Sequence, residues 1–73
     1  RENGRQYIEK AIDYTKQAVN LYKSSAQLKM SLASMYWIDG DKENAVKYVN
    51  EAKKYDKFNF YIEEQAEKIK NSL

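Results

Sequence analysis

The chain contains no His and no Cys. The side chains left for chemistry are hydroxyls, carboxylates, lysines and tyrosines. Ser24, Ser25, Ser31, Ser34 and Ser72 have no imidazole to take a proton, so none is an activated nucleophile of the Ser–His kind. Zinc would need His or Cys ligands. A phosphate cradle would need a Gly-rich loop, and the only glycines are Gly4 and Gly40. Carboxylates mostly stand one helical turn from a lysine, as Glu43 does from Lys47, which is the pattern of a solvated helix face. Asp39 and Asp41 flank Gly40, and two carboxylates in a helix turn fit caps better than a metal site. The expectation is a protein that is not an enzyme, with no catalytic residue, metal or cofactor.

Recognition is the remaining chemistry. The seven tyrosines and the single Trp are residue types enriched at binding surfaces. Most of the tyrosines fall on or beside apolar helical faces, where packing with the hydroxyl at the rim is the simpler role. Thirteen Lys and Arg face eleven Asp and Glu. The two signs are interspersed, so no phosphate-binding stripe forms and nucleic acid is not an expected partner. The apolar runs are too short to cross a membrane. The opening residues RENGRQ lack a signal-peptide core. A first residue other than Met suggests processing or trimming. Compartment is not legible.

The elements that must position these residues are helical. The chain has 73 residues, 42% of them hydrophobic, and no Pro. Pro and Gly are the residues most costly inside helices. Ile8, Ala11, Ile12, Thr15, Ala18, Val19 and Tyr22 recur at helical spacing and predict a first helix over 5–22. Tyr7, Tyr14 and Leu21 form a second row, seven residues apart, as in a helix touched from two sides. Ser24 followed by Gln27 is a capping-box pattern that predicts a helix start. Leu28, Leu32, Met35 and Tyr36, with Ala26 and Ala33 alongside, carry that second helix to about Ile38. Gly40 suits the left-handed residue that ends a helix, and Asp41 can cap the next one. The third helix covers 42–55, with Ala45, Val46, Tyr48, Val49, Ala52 and Tyr55 on its packing faces. The fourth covers 59–71, with Ile62, Ala66, Ile69 and Leu73 at helical spacing.

The first and third helices match each other. Glu9, Ala11, Ile12, Tyr14, Ala18 and Lys23 pair with Glu43, Ala45, Val46, Tyr48, Ala52 and Lys57, each at an offset of 34 residues. That is the period of tetratricopeptide repeats. Residues 26–57 resemble one complete repeat of that family. Leu32 and Ala33 resemble the large–small pair of its first helix, Tyr36 the aromatic that follows, Gly40-Asp41 the turn, and Ala45 and Ala52 the small residues of its second helix. Lys29, Val49 and Lys57 depart from the pattern, standing where Trp, an aromatic and Pro are common.

The resemblance implies an all-α fold: four helices in antiparallel hairpins, stacked as a right-handed solenoid. Residues 5–22 would be the second helix of a partial repeat, and 59–71 the helix that closes the array. The chain would then be the C-terminal end of something longer. The implied function is a protein-interaction module whose groove takes a peptide or protein segment, with Gln27, Met30, Ser34, Trp37 and Tyr61 on the contact surface. Trp37 either turns to that inner face or packs on the fourth helix near Phe58 or Tyr61. Gln27, Ser31, Tyr61 and Gln65 do not supply the Lys/Asn clamp with which one subgroup holds chaperone tails. The alternative is a structural or oligomerising segment of a larger protein, such as an enzyme with its catalytic domain upstream. Self-association would then run through Tyr7, Tyr14 and Leu21.

Overall fold

The computed structural model describes residues 2–57 and 59–71. Expectations for Phe58 and Leu73 lie outside the described residues. The chain forms four helices: α1 (Glu2–Leu21), α2 (Ala26–Asp39), α3 (Lys42–Tyr55) and α4 (Phe60–Asn71). No strand occurs among the described residues. No described helix is long and apolar enough to cross a membrane.

The turn between α2 and α3 follows from Gly40 and Asp41. Gly40 has φ 89° and ψ 2°, a left-handed conformation that costs little without a Cβ. Its N–H donates to the Trp37 carbonyl at 3.1 Å, and the Asp41 N–H donates to that of Tyr36 at 2.9 Å. These bonds satisfy carbonyls left over at the end of α2. Asp41 Oδ1 then accepts from the Asn44 N–H at 3.2 Å, and Oδ2 accepts from the Asn44 side-chain amide at 2.7 Å. A turn this short makes α2 and α3 antiparallel neighbours. A Cβ at position 40 would meet nothing within 4 Å, so Gly40→Ala isolates the backbone term. Thermal denaturation should show a loss of about 1–2 kcal/mol. An unchanged midpoint would mean that the turn does not need its left-handed residue.

Two local readings are corrected. The N-cap of α2 is Ser25, not Ser24: its Oγ accepts from the Leu28 N–H at 3.2 Å. Leu28 thus stands where a capping box needs Glu or Gln, and no box forms. Helix α1 begins at Glu2 and ends at Leu21, so Tyr22 falls past its end and is 64% exposed. Nothing in residues 2–5 forbids the helix from starting early, since Gly weakens a helix but can adopt its dihedrals.

Helix α2 lies in the middle, packed on α1 and on α3, while α4 packs on α3. Leu32, Ala33, Ala45, Val49 and Ala52 are completely buried. Ile12 and Val19 close the core from α1, and Ile62, Ala66 and Ile69 close it from α4. The small residues let backbones approach, and Tyr36 stacks on Tyr48 with ring centroids 5.8 Å apart. Neighbours on two sides explain why α2 carries only two charged residues, Lys29 and Asp39. Lys29 is nonetheless 3% exposed. Its Nζ donates to the Lys23 carbonyl at 2.6 Å and lies 5.0 Å from the centre of the Tyr55 ring. The charge is thereby hydrogen-bonded, as burial demands, and the stem packs like an aliphatic chain.

Ion pairs among the described residues are Arg5–Glu9, Arg5–Asp39 and Lys53–Glu63, the last at 3.3 Å and joining α3 to α4. Glu43 and Lys47 do not pair. Lys47 Nζ instead lies 5.3 Å from the centre of the Tyr48 ring. The 34-residue offset reappears in the helix bounds. Leu21 and Tyr55 end α1 and α3, and Ala26 and Phe60 begin α2 and α4, each pair 34 residues apart.

Candidate binding groove

One face of α2 is left open by its neighbours. Gln27, Ser31, Ser34 and Ile38 recur along it at spacings of three and four, so they line one side of the helix. The opposite wall is the α3–α4 junction and the first turn of α4, which supply Asp56, Asn59, Tyr61 and Ile62. Together they enclose a groove of about 680 Å³, within the usual range for ligand clefts.

Asn59 sets this wall. Its Oδ1 accepts from the N–H of Tyr61 at 2.9 Å and of Ile62 at 3.3 Å, which caps α4. Its Nδ2 donates to Asp56 Oδ2 at 2.9 Å. The cap therefore fixes where Tyr61 and Ile62 stand. Across from them, Met30 and Met35 complete an apolar floor. Methionine side chains are flexible and polarizable, so such a floor adapts to different apolar groups.

The rim is polar: Gln27, Ser31, Ser34, Asn59 and the Tyr61 hydroxyl can donate and accept. Among the described residues, Asp56 is the single charged one in the lining, and no Lys or Arg lines the groove. Ser31 and Ser34 have no imidazole partner in a chain without His. Among the described residues no cluster of three Asp or Glu could hold a metal. The arrangement can bury apolar side chains and hydrogen-bond a backbone.

Of the five residues singled out from the sequence, Gln27, Met30, Ser34 and Tyr61 line this one groove. Met30 is 3% exposed and belongs to the floor. Trp37 is not among the lining residues and is 40% exposed. At about 100° per residue, it falls roughly a quarter turn from the centre of the groove face, where Ile38 sits instead. Asp56 and Asn59 were not singled out from the sequence as site residues, and their place in the groove's far wall was not anticipated. The available signal was their place in the linker between two packed helices, beside Tyr61. No family model, no curated protein and no solved structure matches the chain.

Proposed function

We propose that this chain is a non-enzymatic binding module of the tetratricopeptide-repeat type, whose groove between α2 and the start of α4 takes a peptide or protein segment. The observation that carries the reading is the groove: a Met floor between walls that carry Ile38 and Ile62, under a rim of amides and hydroxyls. Clefts of this make-up bind by burying apolar side chains and orient them with a few polar contacts. The 34-residue recurrence in sequence and in helix bounds supports a solenoid of stacked hairpins. On this reading the α2–α3 hairpin is the complete repeat and α4 the closing helix.

The test is selection from a random peptide library followed by a groove-filling substitution. Selected peptides should bind the native chain and lose affinity by about ten-fold or more on Ser34→Trp. Selected peptides that bind the Ser34→Trp variant equally well would place recognition elsewhere. A second reading, a structural segment of a larger protein, is favoured by one feature. Tyr7, Tyr14 and Leu21 are 76%, 73% and 76% exposed on a single face of α1.

A further inference from the structure

The groove has a polar end and an apolar end. Helix α3 runs antiparallel to α2, so its C-cap, Asp56, comes back beside the first turn of α2. The contact of Lys29 Nζ with the Tyr55 ring marks the same return. Gln27 lines that end of the groove and Ile38 lines the other. The helical rise puts those two about 16 Å apart, the span of about five residues of extended chain.

The polar end is negative. Among the described residues no Lys or Arg pairs with Asp56. Lys53 is taken by Glu63 at 3.3 Å, and Lys54 and Lys57 do not line the groove. The last carbonyls of α3 add their partial negative charge to the carboxylate. The positive ends of α2 and α4 already meet cap oxygens, Ser25 Oγ and Asn59 Oδ1. Asn59 also ties the carboxylate to an aromatic residue. Its Nδ2 donates to Asp56 Oδ2 at 2.9 Å, and its Oδ1 accepts from the Tyr61 N–H at 2.9 Å. Tyr61 is 62% exposed, and a tyrosine ring face attracts a cation.

From this we propose that the segment the groove takes is basic at one end. It is an extended stretch of about five residues, with a Lys or Arg for Asp56 and Tyr61 and an apolar side chain for the Met30 and Met35 floor. The inference rests on the groove being the peptide site. An acidic segment is rejected, because its carboxylate would face Asp56 with no cation in the described lining. Asp56 is exposed, so the ion pair decides which segment binds more than how tightly it binds.

The probes are fluorescein-labelled peptides selected from a random library on the native chain, each remade with its basic residue changed to Met. Anisotropy titrations use the native chain, Ser34→Trp and Asp56→Asn. Asn at position 56 keeps an oxygen that can accept from Asn59, and circular dichroism checks that the variant folds. The expected peptides carry a Lys or Arg and lose about ten-fold or more on Ser34→Trp. Their Met forms bind the native chain about five-fold more weakly, and added salt narrows that gap. On Asp56→Asn the basic and Met forms bind alike. The comparison on the native chain needs no variant, so it stands even if Asp56→Asn misfolds. Peptides blocked by Ser34→Trp that carry no basic residue, or that bind equally in both forms, would overturn the charge assignment and leave the groove reading intact. A gap that persists on folded Asp56→Asn would do the same. Peptides that ignore Ser34→Trp would overturn the groove reading and this inference with it.

Discussion

Truncating Leu32 to Ala should cost about 2–5 kcal/mol and leave much of the chain unfolded at room temperature. Leu32 is completely buried at the centre of α2, the helix with neighbours on two sides. The void would be bounded by side chains from both, and helix–helix contacts collapse into such a space only in part. The chain has 73 residues and no Cys, and a core of that size leaves only about 3–5 kcal/mol of net stability. One residue therefore controls most of the margin. Urea denaturation followed by circular dichroism checks it, with Leu21→Ala as the control. Leu21 is 76% exposed, so its truncation should change stability by no more than about 0.5 kcal/mol. Equal losses at the two leucines would contradict the packing described here.

The opposite change, Ala45→Leu, should destabilise by about 1–3 kcal/mol. Leu and Ala have nearly equal helix propensity, so α3 itself is indifferent to the exchange. The loss reports the close approach of α2 and α3. Ala45 is 0% exposed, as are Ala33 and Ala52, and Leu at any of the three forces backbones apart or side chains off their rotamers. The half-buried counterparts Ala11 and Ala18 should take Leu with a smaller loss, because one side of each is open. Melting temperatures for the paired variants make the comparison. If Ala45→Leu melts like the native chain, the small residues are not what lets these helices approach.

What the sequence made legible was local chemistry repeated at a period. The bounds of α3, the left-handed Gly40, the Asp41 cap and the all-α fold follow from residues acting on their own backbone. The misses came where a neighbour decides. Ser24 and Ser25 are equivalent as hydroxyls, and the end of α1 determines which one caps α2. Tyr22 shares the spacing of its apolar row but falls beyond the last helical turn. Lys29 is a charge by type and a core residue by position. Its long stem packs into the core while its Nζ donates a hydrogen bond to the Lys23 carbonyl. The groove was legible in its α2 half, since Gln27, Met30 and Ser34 recur at helical spacing. Its other wall depends on how the α3–α4 junction folds back, which no periodicity encodes. Trp37 illustrates the limit. Knowing that Tyr36 faces α3 leaves two directions for the next side chain, and the groove's centre falls to Ile38.

The central claim is that recognition occurs in the α2–α4 groove. The most direct measurement compares the affinity of one library-selected peptide for the native chain, Ser34→Trp and Tyr14→Glu. The account predicts a loss of about ten-fold or more for Ser34→Trp and no change for Tyr14→Glu. A peptide that ignores Ser34→Trp, or that is lost with Tyr14→Glu instead, would contradict it.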